Sequence, residues 1–521
     1  MRGGTEQVSR KSRKPEDIFR SPVFGRGSRV LSIAYLAVIT SLYVFLVSLL
    51  KWSDVTVLPV SLLYLGCISL SYFWNMGYGV TLYRRCSFST INDTGRGEEA
   101  GYSWPSVSII VPTYKESRES IKNMIDHFEL IDYPREKIHL YVCDDVPDPF
   151  DKIEVERVCR ASENVIYMSR YSRRGYKAGA VNNVLRGITS QYVICLDADH
   201  LPTRSMVKRL VESIQDSSKD FLMFPQYFRN ENENNIARTT ALMQKVDYVF
   251  DRFARTVTNS AFCVTTNWIA KTDTLRAIGG LDETTITEDL ATGIVAHANG
   301  FKIGVIEDAL AFGLTPNKLD AWRKQQYRWS YGTFHVARTV FKRYWRYLSF
   351  SQVFDYVQCI SWYLVGPLSF ALYLFPILSA FGLGFLTITN PRLFVSATLG
   401  IITFSWFASN IATLRVARSL KRVIMKQAIG LFVSDVYVKA LLDNLRGKRP
   451  EFHVTDKTKA NHESIKSVLK SMKYHIAFFS AGIAASLYLL SHALTLVSAV
   501  DLGWIWYNNI WVIIGITLTR R

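Results

Sequence analysis

The sequence predicts an α/β domain inserted between α-helical membrane segments. Three observations carry this. Long apolar runs gather toward the two ends of the chain, on either side of a polar stretch from Tyr78 to about Tyr347. Within that stretch, short apolar runs alternate with segments of helical length. Aspartates follow directly on two of those runs, as Asp144-Asp145 and as Asp197-Ala-Asp199.

Composition agrees with a divided chain. At 521 residues it exceeds one ordinary domain, and 49% hydrophobic content coexists with 62 Lys and Arg. Apolar and charged residues must therefore occupy separate regions. A net charge of +18 suits an anionic membrane surface, nucleic acid or a nucleotide-activated substrate. Nothing resembling a zinc finger or other nucleic-acid motif occurs, so nucleic acid is set aside. The 7 cysteines are odd in number and lack CxxC spacing. That argues against a disulfide framework or zinc site and fits a reducing cytosol.

A hydrocarbon core of ~30 Å needs ~20 apolar residues in a helix. Six runs approach that length: Val30 to Leu50, Val57 to Met76, Leu364 to Thr387, Leu393 to Leu414, His475 to Val497 and Leu502 to Leu518. The first is too long for a signal h-region and reads as an anchor. Lys and Arg crowd the tail before Val30 and the segment after Leu414, whereas the opposite loops hold little beyond Lys51 and Arg392. The positive-inside rule then puts both termini and the polar domain in the cytosol of a plasma-membrane protein. The expected division is a basic tail (1–29), two spans (30–76), the α/β domain (77–332) and surface-lying helices (333–363). Two spans (364–414), a cytosolic segment (415–473) and two more spans (474–521) follow.

Within the domain, Val107 to Val111, Ile138 to Cys143 and Tyr192 to Leu196 are expected strands, separated by helices. That alternation argues for a mostly parallel sheet, with ligands beyond the carboxyl ends of its strands. The acidic residues fall at those ends.

Each motif carries two readings. Alternate residues of an extended segment point the same way, so Asp197 and Asp199 can address one hard cation, Mg²⁺ or Mn²⁺. An acidic turn after a strand is the plainer account. Ile286-Thr-Glu-Asp289 opens a helix; either Thr287 is its N-cap with acids in the first turn, or Asp289 is a general base for an acceptor hydroxyl. Gln325-Gln-Tyr-Arg-Trp329 is an amphipathic helix at the membrane surface, or else offers Arg328 to phosphate and Trp329 to a sugar ring. Lys177 lies beside a small-residue helix start. Val111-Pro-Thr-Tyr-Lys-Glu116 closes the first strand with polar groups.

Taken in order, Val111-Pro-Thr-Tyr-Lys-Glu116, Cys143-Asp-Asp145, Asp197-Ala-Asp-His200, Thr287-Glu-Asp289 and Gln325-x-x-Arg328-Trp329 resemble the processive inverting glycosyltransferases of family 2. The resemblance is strongest to the bacterial cellulose synthase branch, and Phe452-His-Val-Thr-Asp-Lys457 resembles that branch's gating loop. It covers roughly residues 30 to 500. It implies a cytosolic GT-A domain that uses a UDP-sugar, UDP-glucose foremost, and passes a growing β-glucan through the membrane. Chitin, hyaluronan and mannan synthases share the architecture, and accessory export subunits are conceivable partners beside membrane lipids.

By this resemblance Thr113, Tyr114, Glu116, Asp145 and Lys177 would hold uridine and diphosphate, joined by Gln325 and Arg328. Asp197 and Asp199 would meet Mg²⁺ or Mn²⁺, and Asp289 would be the base. Trp329, Phe262, Cys263 and Glu288 would border the acceptor. Phe452, Val454, Thr455 and Lys457 would close over the nucleotide. Three departures stand out. Val264-Thr-Thr-Asn267 replaces a small Gly-containing turn expected after Phe262-Cys263. There are two fewer spans than in that branch, and no room is expected for its C-terminal cyclic-di-GMP-binding barrel.

Overall fold

A computed structural model describes residues 27–50, 58–86, 104–145, 148–382, 389–448, 465–492 and 495–519. The strands are β1 (Val107–Thr113), β2 (Ile138–Asp144), β3 (Val165–Ser169), β4 (Tyr192–Cys195) and β5 (Leu201–Pro202). They continue with β6 (Phe221–Met223), β7 (Tyr227–Phe228), β8 (Trp268–Lys271), β9 (Ile303–Val305) and β10 (Ala311–Gly313).

Helices of ten residues or more are numbered here. Ahead of the sheet run α1 (Gly27–Ser48) and α2 (Leu58–Arg85). The domain holds α3 (Arg118–Glu129), α4 (Pro149–Cys159), α5 (Tyr176–Leu185), α6 (Met206–Gln215), α7 (Asn235–Val246), α8 (Glu288–Ala298) and α9 (Leu319–Val336). Beyond it lie α10 (Phe350–Ser361), α11 (Val365–Ala380), α12 (Pro391–Ala417), α13 (Leu420–Leu431), α14 (Ser434–Leu445), α15 (Lys473–Leu490) and α16 (Leu496–Thr519).

Among the described residues the main sheet has seven strands in the order β3-β2-β1-β4-β8-β6-β9. All three expected strands are present. Pro112 does not end β1, which continues to Thr113. Proline is tolerated there because β4 pairing stops at Ile110 opposite Cys195, so only the β2 side remains to be satisfied. Strand order reverses about β1, with β2 and β3 on one side and β4 on the other, which opens a crevice at the carboxyl ends of β1 and β4. The sheet is mixed, since β8 runs antiparallel to both β4 and β6. The chain entering β8 therefore sits at the same edge as the carboxyl end of β4.

Helices cover both faces, so β1 is buried along nearly its whole length and shows no polar alternation. Ser117 caps α3 by accepting from the Ser120 amide. Ile121, Met124, Ile125 and Phe128 then form the helical stripe that packs with Val107, Ile109 and Val111. On the other face Ala178, Val181 and Val184 of α5 meet Ile110, Val193 and Cys195.

Among the described residues three helical stretches are long and apolar enough to cross a membrane by length and composition: Arg29–Ser48, Phe350–Ala380 and Pro391–Ala417. They overlie the first, third and fourth expected spans. The other three expected spans fall on α2, α15 and α16. The tail before Gly27 and the segment from Phe452 to Lys457 lie outside the described residues. Helix α9 runs across the expected boundary at residue 332 without a break.

Two polar seams tie the domain to these helices. Asp355 of α10 receives Arg84 of α2 at 2.8 and 2.7 Å and, from the domain, the Ser260 hydroxyl. Along α9, Arg323 forms a two-pronged pair with Asp435 (2.9 and 2.7 Å), Tyr437 donates to Gln326 Oε1 (2.7 Å), and Tyr327 donates to Asp443 (2.8 Å). Helix α14 is thereby fastened alongside the helix that carries Gln325 to Trp329.

Candidate active site

The carboxyl ends of β1, β2 and β4 supply one wall of the site. Thr113 is buried, and its hydroxyl donates to Asp144 Oδ1 at 3.2 Å. Tyr114 lies beneath the Arg173 guanidinium, 3.2 Å from ring centroid to Cζ. Glu116 is half-buried in the loop beyond. Asp145 is gripped by Arg170, with Nε on Oδ1 at 2.8 Å and Nη2 on Oδ2 at 2.5 Å. The same guanidinium donates to the carbonyls of Arg174 and Tyr176 at 2.9 Å each, drawing the chain tightly into α5. Arg170 and Arg173 were not singled out in the sequence; only the fold brings their strand-to-helix loop to the end of β2.

Gly175 precedes α5 with φ 71°, a left-handed value that glycine tolerates. This turn delivers Lys177 to Asp197, and the two form an ion pair. Burial works against the Lys177 ammonium, but the charges of Asp197 and Glu288 outweigh it and hold its pKa above the ordinary value.

Asp197, Asp199 and His200 bring one ligand atom each within 4.8 Å of one another. Strand alternation is not what achieves this. β4 ends at Cys195, and a turn at residues 198–199 brings the carboxylates together. Asp199 is buried, and its Oδ2 accepts from the Leu314 amide at 3.1 Å. His200 Nδ1 lies 3.3 Å from Asp199 Oδ1, while its buried Nε2 has no partner among the described residues. Two carboxylates and an imidazole make a donor set that suits Mg²⁺ or Mn²⁺.

The opposite wall is the start of α8. Thr287 occupies the N-cap position, but its hydroxyl makes no capping bond, so the capping account of this motif fails for Thr287. Asp289 is half-buried; its Oδ2 accepts from the Thr265 hydroxyl at 3.0 Å and its Oδ1 from the Leu290 amide at 2.8 Å, so this acid does satisfy an amide in the first turn of the helix. Glu288 is buried, with Oε1 lacking a partner among the described residues. Burial first, then the charge of Asp289, pushes its pKa well above the usual carboxylate range against the pull of Lys177 and Arg328. Burial lowers the Arg328 pKa, while Glu288, Asp197 and Asp289 oppose that shift, so this guanidinium faces carboxylates from both walls.

Gln325 is buried and Trp329 half-buried on α9. Phe262 packs into the cluster formed by Leu290, Ile294, Val336 and Tyr356, under the guanidiniums of Arg252 and Arg255. Cys263 is buried beside it, and burial and then Asp289 push its thiol up to about 12. Close helix approaches need glycine at two points. A Cβ on Gly332 of α9 would lie 2.5 Å from Thr287 Cγ2, and one on Gly293 of α8 would lie 2.9 Å from Phe262 Cβ. Phe452, Val454, Thr455 and Lys457 fall outside the described residues.

A mixed sheet with paired aspartates, a lysine and an arginine at its carboxyl edge is an arrangement suited to a nucleotide-sugar transferase. Residues 192–414 match the family model described as Glycosyl transferase family group 2, and the chain carries a family 2 glycosyltransferase domain. Its relatives include cellulose synthase 2 of Novacetimonas hansenii, 26% identical over 372 residues that make up 68% of this chain and 22% of that one. Another is the cellulose synthase catalytic subunit (UDP-forming) of Pseudomonas fluorescens strain SBW25, 27% identical over 241 residues, 45% of this chain and 32% of that one. The matched stretches thus span about a third or less of these relatives. Among solved structures, a mannosyltransferase from Pyrobaculum calidifontis in complex with GDP-Man and Mn²⁺ is 18% identical at a TM-score of 0.47, covering 74% of this chain and all of that one.

Proposed function

We propose that the protein is a processive, inverting, GT-A-type glycosyltransferase that polymerises glucose from UDP-glucose into a β-glucan and passes it across the membrane. The observation that carries this reading is the convergence of Lys177, Asp197, Glu288, Asp289 and Arg328 from α5, β4, α8 and α9 on one crevice. In an inverting transfer the acceptor hydroxyl oxygen attacks the anomeric carbon. The bond from that carbon to the diphosphate oxygen breaks, and the hydroxyl proton passes to a base.

Asp289 is the base in this scheme, because its half-buried carboxylate stands on the α8 wall beside the crevice, held by the Thr265 hydroxyl. A positioned base of this kind contributes ~10²–10⁴-fold. Lys177 and Arg328 face the negative charge that develops on the leaving diphosphate. Asp197 and Asp199, with His200, would hold Mg²⁺ or Mn²⁺, which when bound neutralises diphosphate charge. Tyr114, Glu116 and the Arg170–Asp145 pair border the nucleoside end. Trp329 would carry the terminal sugar toward the membrane helices that α14 fastens to α9. The segment from Phe452 to Lys457 would close over the nucleotide. Six spans with both termini and the domain in the cytosol complete the proposed topology.

The test is to incubate the purified full chain with UDP-glucose, UDP-N-acetylglucosamine, UDP-glucuronate or GDP-mannose singly, with Mg²⁺ or Mn²⁺, and to digest any polymer with linkage-specific glycosidases. A glucanase-sensitive polymer from UDP-glucose is expected. Polymer from another donor would reassign the sugar, a lipid-extractable short product would remove processivity, and no turnover with any donor would overturn the enzyme reading.

A further inference from the structure

The segment that departs most from the family pattern, Val264-Thr-Thr-Asn267, stands between the two walls of the site. It leads into β8 at the edge where β4 ends, and its backbone is closely held. The Asn267 amide donates to the Cys195 carbonyl at 2.9 Å, and the Phe224 amide donates to the Asn267 carbonyl at 3.0 Å. Asn267 adopts φ 63°, a left-handed value, and its side-chain amide donates to the Pro225 carbonyl at 3.3 Å. Asparagine accepts this conformation more readily than most residues.

This held backbone turns two neighbouring hydroxyls in different directions. The buried Thr266 hydroxyl accepts from the Asp197 amide at 2.8 Å and donates to Asn267 Oδ1 at 3.2 Å. The Thr265 hydroxyl donates to Asp289 Oδ2 at 3.0 Å. One dipeptide thus touches the aspartate on the donor wall and the aspartate on the acceptor wall. Glycine at either threonine position would have no hydroxyl to make these bonds.

We propose that Thr265 and Thr266 are positioning residues that hold the Asp289 carboxylate at a fixed place and orientation relative to Asp197. Thr265 on Oδ2 and the Leu290 amide on Oδ1 together fix the carboxylate rotamer, and each oxygen keeps a second lone pair for the acceptor hydroxyl. Thr266 fixes the end of β4 from the same dipeptide, so that both carboxylates share one frame. Transfer rates are sensitive to misplacement on the scale of 1 Å, which gives such a frame its value. The proposal rests on Asp289 being the base.

The experiment compares Thr265→Val, Thr265→Ala, Thr265→Ser, Thr266→Val and Asp289→Asn in the full chain. It reads UDP release at saturating UDP-glucose, or the donor the wild type turns over, and separately the Kd for UDP with Mn²⁺. Val keeps the shape of Thr without its hydroxyl, Ala guards against misfolding of the Val variant, and Ser keeps the hydroxyl. For Thr265→Val and Thr265→Ala we expect kcat to fall roughly 10- to 100-fold, the rate equivalent of one hydrogen bond to a charged group, with Kd for UDP within about twofold. Thr265→Ser should recover most of the rate, and Thr266→Val should lose rate in the same direction. Wild-type kcat in Thr265→Val, a Ser variant as slow as Val, or a Kd that weakens in step with kcat would each overturn the proposal. An inactive Asp289→Asn beside an active Thr265→Val would sink the positioning role alone. An active Asp289→Asn would sink the base assignment and the positioning role together.

Discussion

The two walls of the crevice differ in how their polar groups are satisfied. On the donor wall, Asp145 is taken up by Arg170, Lys177 pairs with Asp197, and Asp199 accepts from the Leu314 amide. On the acceptor wall, the buried Thr285 and Thr287 hydroxyls and Glu288 Oε1 have no protein partner among the described residues. A buried polar atom left unpaired costs about 1–3 kcal/mol, so three within four residues mark a place where the fold gives up stability. The carboxylates of the donor wall are met by protein groups, while the buried His200 Nε2 beside them is open among the described residues. The acceptor wall holds hydrogen-bonding groups that a sugar hydroxyl can complete. On the proposed function, the paired charges lie where diphosphate would bind and the open polar atoms of α8 lie where sugar hydroxyls would arrive.

The largest way to break this comparison is on the donor wall. Asp197→Ala removes both a metal-binding carboxylate and the partner of Lys177, and UDP release should fall to background. EDTA should silence the wild type, with Mn²⁺ restoring it; full turnover in chelator would assign the aspartates another task. On the acceptor wall, Asp289→Asn should lower kcat ~10²–10⁴-fold while UDP with Mn²⁺ still binds, because its nucleotide contacts lie across the crevice. Parallel loss of binding would show that the walls are not functionally separate.

A smaller effect is expected where the walls of α8 and α9 touch. Gly332→Ala places a methyl carbon 2.5 Å from Thr287 Cγ2, so one helix must shift. Overpacking of this kind costs about 1–3 kcal/mol. Turnover should fall with it, read by thermal midpoint and UDP release together. An unchanged midpoint would show that the helices part freely.

The smallest prediction concerns Glu288. Its pKa is raised from 4.5 to about 8 in the folded chain, by burial first and Asp289 second. A carboxyl raised on folding binds more protons folded than unfolded between those values, so its contribution to stability falls as pH climbs through that window. Glu288→Gln should flatten this slope between pH 5 and 8 in the metal-free protein, measured by thermal midpoint. A slope unchanged by the substitution would place the titrating group elsewhere.

Much of the fold was legible in the chain. β1, β2 and β4 announce themselves as apolar runs because both faces of the sheet are covered. The short strands β5, β7 and β10 escaped notice because two or three residues carry no period. The antiparallel β8 escaped because Trp268-Ile-Ala-Lys271 resembles any short apolar stretch. Of the candidate site residues, Asp197, Asp199, Glu288, Asp289 and Arg328 were visible as motifs, and the fold draws them together. Arg170, Arg173 and Gly332 were not, since arginines in a loop and a helical glycine are common everywhere, and Thr265 was visible only as part of a departure with no role attached.

What the sequence by itself determined was the kind of architecture: apolar lengths suited to membrane helices, a sheet of alternating βα units, and acidic residues at the ends of strands. These are local properties, written in period and composition. Which acids meet was decided only in three dimensions. Asp197 and Asp289 are 92 residues apart, and Thr265 and Thr266 reach both because an antiparallel strand inserts beside β4. Whether Glu288 carries a charge depends on burial and on neighbours from other elements, and no stretch of sequence around it states either.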